Sequence, residues 1–159
     1  MAGIGATFKT MQEDAEEVLP AAPHRFDATC SEVARELGAD ACVIRLLSGN
    51  DLELAGAFGV PSEMLPLRMP REYGLANQLL SLERPLVIAD VRAYPITRRI
   101  TSSKESYRFE FISFAGIPIM RGGVPLGVMA IYTVKALRLF TDRDVDRLLE
   151  IGGKLSEEI

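Results

Sequence analysis

Residues 112–134 constrain the fold more than any other stretch. ISFAGIPIM (112–120), the turn Arg121-Gly122-Gly123 and VPLGVMAIYTV (124–134) read as a hairpin whose two strands are apolar on both faces. Such strands are stable only where both faces are covered, so this hairpin belongs in the middle of a sheet packed on each side. The rest of the chain must supply flanking strands and covering layers.

Flanking strands come from ACVIRLL (41–47) and LELAGAF (52–58), joined by the turn residues Ser48-Gly49-Asn50-Asp51, and from LVIAD (86–90) behind Pro85. Covering helices are read from apolar periodicity. One places Phe26, Cys30, Val33, Ala34 and Leu37 on a single face and stops at Gly38. A short second helix spans about Leu75–Leu82. The last opens at Thr141, which can cap the backbone N–H of Asp144 while Phe140 packs on Val145. Its stripe runs through Val145, Leu148, Leu149, Gly152, Leu155 and Ile159, and no Gly or Pro closes it, so a continuation is expected. Residues 62–73, interrupted by Pro66 and Pro70, read as an irregular loop, and 91–111 as a long polar loop with one short helix. A loop of that length within a compact domain is functional or disordered. The element order is that of an α+β domain with an antiparallel sheet and the terminal helices on one face.

Ahead of this domain, Ile4, Phe8, Met11, Ala15 and Val18 recur at heptad spacing until Pro20, with acidic residues outside. Such a stripe either lies on its own domain or packs against another copy. The chain is therefore divided into 1–22, an N-terminal dimerisation helix and linker, and a domain over 23–159. A homodimer is expected through Ile4, Phe8, Met11, Ala15 and Val18 together with Leu148, Leu155 and Ile159 of the last helix, because an isolated helix needs its apolar face buried.

Composition removes several function classes. The 159 residues are 48% apolar and 25% charged, enough for one core. A net charge of −4, with no basic run longer than Arg98-Arg99, argues against a nucleic-acid surface. No apolar run approaches the ~20 residues of a membrane span, and the first residues lack the pattern of a signal peptide. A cytoplasmic protein with no membrane partner is expected. Cys30 and Cys42 sit among apolar neighbours and read as small buried hydrophobes; with His24 the sole histidine, they match no structural zinc pattern. Ser113 has no histidine to activate it, and no phosphate-cradling glycine loop appears. Neither enzymatic activity nor a metal or cofactor is expected.

Three phrases in order, GADACVIRLLSGNDLELAGAFG, YGLANQLLSLERPLVIADVRAYP and FISFAGIPIMRGGVPLGVMAIYTVKALRLFTDRDVDRLLEIGGKL, resemble the GAF domain family. Ser113, Pro118 five residues on, the glycine turn, Gly127 and the Phe140-Thr141 helix start fall at that family's usual spacings, over about residues 24–159. Gly127 is also expected to permit close helix-to-sheet approach. The resemblance implies a relative of PAS domains: a central antiparallel sheet of about five to six strands, terminal helices on one face and a loop-covered pocket on the other. It further implies a sensory or regulatory input to an output domain or signalling partner, without naming the ligand. No cysteine or histidine lies from 43 to 159, which argues against the bilin, haem, sulfoxide-reducing and non-haem-iron members. The Asn-Lys…Phe…Asp-Glu pattern of cyclic-nucleotide members is missing.

Strand alternation puts Ser113, Ala115 and Ile117 on one face, and the resemblance suggests that this face looks toward the pocket. The expected lining is Ser113, Ala115, Met129 and Ile131, with polar contacts from Asp90, Tyr94, Arg98, Arg99 and Tyr107. Residues 91–111 carry Arg92, Arg98, Arg99, Lys104 and Arg108 against Glu105 and Glu110, so an anionic small organic ligand is expected. Two alternatives stay open. The loop residues are a solvated surface answering the acidic helices, or the module holds no ligand, its pocket filled by Phe109, Phe111 and Met129, and serves as a dimerising spacer.

Overall fold

A computed structural model describes residues 23–72, 74–93 and 110–159. The central hairpin forms as its sequence requires, from β5 (Ser113–Arg121) and β6 (Val124–Thr133). Gly122 and Gly123 between them both take positive φ, 56° and 81°, the backbone that matches the twist of the strands they join. The earlier hairpin pairs β1 (Ala41–Ser48) with β2 (Asp51–Phe58), and β1 in turn pairs with β6, Ile44 lying opposite Met129. With β3 (Arg68–Pro70) and β4 (Leu86–Ile88) at the edges, one six-stranded antiparallel sheet results, ordered β3-β2-β1-β6-β5-β4.

Two edge details depart from the sequence reading. Residues 62–73 are not wholly irregular: a short 3-10 turn (Ser62–Met64) leads into β3, where Glu53 faces Arg68 and Asp51 faces Pro70. Arg68 forms ion pairs with both Glu53 and Asp51, and the proline is tolerated because an edge strand has one side without ladder partners. On the opposite edge β4 stops at Ile88, and Asp90 instead caps a 3-10 turn over Val91–Ala93.

Helices α1 (Asp27–Leu37) and α3 (Asp142–Ser156) cover one face, linked by Arg147 reaching Glu36 at 2.7 Å. α1 buries Cys30, Val33, Ala34 and Leu37 and ends at Gly38, whose φ of 68° is left-handed. α3 opens with a capping box: Thr141 Oγ1 accepts from the Asp144 N–H, and the Asp144 carboxylate accepts from the Thr141 N–H. It closes at Ser156, with Glu157 and Glu158 in a turn. Arg25 donates to the carbonyl of Glu158, and Arg121 to those of Ser156 and Ile159, so three chain segments meet at that end of the helix. The third helix, α2 (Gly74–Leu82), lies on the other face.

One sheet therefore separates two cores. The helix-side core contains Cys30, Val33, Ile44, Ile117, Met129 and Leu148; the loop-side core contains Leu79, Ile88, Phe114, Val128 and Ala130. Cys30 and Cys42 are buried free cysteines, as their apolar neighbours suggested. The Cys42 thiol is pushed well above its ordinary range, first by its hydrogen bond with Cys30 and then by burial.

The division corrects three expectations. Alternation along β5 and β6 holds, but its phase is reversed: Ala115, Met129 and Ile131 belong to the helix-side core, with Ala115 directly opposite Ile131. Alternation groups residues by face without saying which face the helices take. Leu148 and Leu155 are buried in that same core, because α3 must cover β5, and so they cannot form a dimer surface; Ile159 packs beside them half-buried. Ile4, Phe8, Met11, Ala15 and Val18 lie outside the described residues. Finally, Gly127 serves strand-to-strand approach, since a Cβ there would sit 2.2 Å from the Arg45 carbonyl oxygen on β1.

Candidate functional site

The loop-side face of the sheet has an unusual member. In the apolar run of β1, Arg45 lies opposite Val128 of β6. Residues paired across an antiparallel ladder share a face, so Arg45 shares the loop side with Val128. Its side chain is buried, the residue being only 5% exposed. Among the described residues the other buried polar side chains are Ser113, Thr133 and Ser156, so Arg45 is the one buried charge. Arginine stays protonated in proteins and is almost never fully buried unless paired.

Beside it lies an aromatic floor. Phe114 of β5 faces Tyr132 of β6, their rings 5.4 Å apart at 64°. Phe111, just before β5, completes the group at 4.8 Å from Tyr132 and 6.3 Å from Phe114. These are edge-on and tilted arrangements of the kind aromatic rings prefer. Leu79 of α2 closes over the floor: a Cβ on Gly116 would meet Leu79 Cδ1 at 2.8 Å and Phe114 Cζ at 2.7 Å. Burial pushes the Tyr132 phenol well above its ordinary range, and the positive charge of Arg45 offsets some of that push. Tyr132 therefore remains a protonated hydroxyl at neutral pH.

The family model of the GAF domain matches residues 23–159. The chain belongs to the GAF domain family. The fold of this GAF domain resembles that of the GAF domain of a phosphoenolpyruvate-protein phosphotransferase from Coxiella burnetii, with a TM-score of 0.69 at 22% identity over 94% of this chain and 90% of that one. It also resembles a type II free methionine-R-sulfoxide reductase from Thermoplasma acidophilum, with a TM-score of 0.69 at 17% identity over 84% and 88% of the two chains. In sequence it is 30% identical over 84 residues to a Nif-specific regulatory protein of Herbaspirillum seropedicae. That match takes in 52% of this chain but 16% of the relative, so the GAF domain corresponds to a small portion of that regulator.

Within the GAF domain, two of the polar residues read from the sequence have local duties. Asp90 accepts from the Arg92 backbone N–H at 3.0 Å and from its guanidinium at 2.8 and 2.9 Å, and these bonds hold its carboxyl below the ordinary range. Ser113 is fully buried; its hydroxyl donates to the Ala89 carbonyl at 2.6 Å and accepts from the Arg138 N–H at 2.9 Å. Its expected pocket contact is thus replaced by a pin between the strand leaving β4 and the linker into α3. Tyr94, Arg98, Arg99 and Tyr107 lie outside the described residues. The structure instead brings together Arg45, Phe111, Phe114 and Tyr132, of which sequence reasoning named only Phe111, as a pocket filler. The available signal was the lone cation inside ACVIRLL. Among the described residues no group of three or more His, Cys, Asp or Glu could hold a metal ion, and no helix is long and apolar enough to cross a membrane.

Proposed function

We propose that this GAF domain is a regulatory module that takes up a small organic molecule on the loop side of its sheet. Its effect then passes through the terminal helices to an output domain or partner. The observation that carries this reading is the composition of the loop-side face, where an aromatic floor adjoins one buried cation. Ligand sites combine mostly apolar walls with a few placed polar groups in this way. The relationship to a regulatory protein supports the same reading. Ser113 offers the route, since its hydroxyl ties the strand exit at Ala89 to the linker at Arg138. Among the described residues no activated nucleophile accompanies the site, which favours binding without catalysis.

One observation favours a second reading. Phe111 seats directly on Tyr132, as it would in a spacer whose pocket is filled by its own side chains. A thermal-shift screen of small metabolites separates the two. A ligand at a hundredfold its dissociation constant stabilises the fold by about 2.7 kcal/mol, a shift of a few degrees in a domain of this size; a library that leaves the midpoint unmoved supports the spacer. For self-association we propose the N-terminal stripe, the heptad spacing of Ile4 to Val18 being the support and Leu148 and Leu155 being used internally. Light scattering on the whole chain and on one lacking residues 1–20 tests it: a monomer before truncation removes the dimer.

A further inference from the structure

Arg138 is held in a position that its own bonds do not explain. Its side chain leaves the linker between β6 and α3, lies 5.0 Å over the Phe140 ring and rests against Gly38 at the end of α1, where a Cβ would meet Arg138 Cζ at 3.6 Å. Nη2 reaches Asp144 Oδ2 at 3.3 Å, long for a charge-assisted bond. The Nε N–H is buried and, among the described residues, has no hydrogen-bond partner. We infer that Ser113 and Arg138 form a switch on the cap of α3. While Ser113 pins the Arg138 backbone, the Asp144 carboxylate serves the cap; when the pin breaks, the Arg138 guanidinium takes that carboxylate away.

Asp144 is the contested group. Its Oδ2 accepts from the Thr141 N–H at 2.8 Å, one half of the capping box, and also from Arg138. An arginine satisfies a carboxylate best with two parallel N–H donors, and here the second donor, Nε, is the one left open. A guanidinium free to move would turn Nε onto Asp144 as well, since an open buried donor is costly. The carboxylate would then be drawn toward Arg138 and off the Thr141 N–H. The backbone prevents this. The Arg138 N–H donates to Ser113 Oγ at 2.9 Å, and that hydroxyl is itself fixed by donating to the Ala89 carbonyl at 2.6 Å. The Ser113 N–H, on Thr133 Oγ1 at 3.2 Å, anchors the strand beneath. Unfavourable arrangements persist only where the surroundings over-determine them, and two bonds through one hydroxyl do so here. A movement of the chain at Ala89 therefore reaches the first turn of α3, and Gly38 at the end of α1, through one residue. That a bound ligand makes this movement rests on the reading above; the competition for Asp144 does not.

Amide hydrogen exchange followed by NMR on the full chain, without ligand, tests the switch. Ser113→Ala should speed exchange at Thr141 and Asp144, relative to Leu148 further along the same helix, by about fivefold, the effect of losing a helix cap. Adding Arg138→Met should return both amides to their rates in the unaltered chain, because the competitor is gone; a merely structural pin gives no such rescue. Should Ser113→Ala not fold, Ser113→Cys, whose thiol is a weaker donor and acceptor, replaces it, with the same pattern at smaller amplitude. The inference is overturned if Thr141, Asp144 and Leu148 speed up together, which marks uniform destabilisation. It is equally overturned if Arg138→Met adds to the loosening instead of reversing it, which makes the ion pair a support of the cap. Because no ligand enters, either result leaves the ligand-binding reading to the thermal-shift screen.

Discussion

Two adjacent glycines in α3 offer a measurement in which most confounding contributions cancel. Gly152 and Gly153 share a helix, a chain neighbourhood and a helix-propensity penalty, so alanine at either position gains about 0.8–1 kcal/mol of intrinsic stability. Their surroundings differ. A Cβ on Gly152 would lie 2.6 Å from Ile117 Cδ1, whereas one on Gly153 meets nothing within 4 Å. Carbon atoms pack at about 3.5–4.0 Å, so Gly152→Ala asks for roughly 1 Å of retreat from an isoleucine that is 1% exposed in the helix-side core. Overpacking of that kind costs about 1–3 kcal/mol. Gly153→Ala should therefore stabilise by just under about 1 kcal/mol, and Gly152→Ala should be neutral to destabilising by about 2 kcal/mol. The difference between the variants is the overpacking cost itself, about 1–3 kcal/mol. In urea unfolding, with a slope near 2 kcal/mol/M, their midpoints should differ by about 0.5–1.5 M. Coincident midpoints, or a more stable Gly152→Ala, would show that α3 does not press on β5 at this point.

Three further outcomes follow from groups described above. Ser113→Ala strands the Arg138 N–H and the Ala89 carbonyl, and should cost about 1–3 kcal/mol in the same assay; a loss below a few tenths would mean that the pin bears no strain. Cys30 and Cys42 should resist a thiol-specific disulfide reagent in the folded protein and react only as fast as the chain unfolds, because reactivity needs an exposed thiolate; rapid labelling of either would contradict their burial. Tyr132 and Cys42 are both held protonated by the fold, their ordinary values being 10.0 and 9.0. The unfolded chain releases these protons first, so the stability they contribute is intact below about pH 8.5–9 and is lost as pH rises above it. Tyr132→Phe should flatten the alkaline fall above about pH 10 while leaving the earlier part, due to Cys42, in place, and an unchanged slope there would refute the assignment.

How much of this was legible in the sequence depended on where the deciding information sat. The apolar hairpin, the Gly122-Gly123 turn, the α1 face and the Thr141 cap are local patterns, and local patterns survive into the structure. β3 was not legible, because three residues ending in proline become a strand only through their register with Asp51 and Glu53 and the ion pairs of Arg68. The phase of β5 and β6 was illegible for the opposite reason: both faces are apolar, so nothing in the strands marks the side on which α1 and α3 settle. That one ambiguity carried Ala115, Met129 and Ile131 to the wrong side of the sheet. It also hid the true loop-side set, because Arg45 on β1 takes its meaning from lying opposite Val128 rather than from its own neighbours.

The meeting of Arg25 with Glu158 has a mechanical consequence. Where the described chain enters the domain and where it leaves are one place, so the domain can be spliced into a host polypeptide without separating the two cut ends. It also decides how the domain answers traction. A pull applied through both ends loads the Arg25 bond first and then those from Arg121 to Ser156 and Ile159. Arg121 is the last residue of β5, and the Phe26 N–H beside Arg25 donates to the Ala55 carbonyl of β2, so that load passes from both ends straight into the sheet.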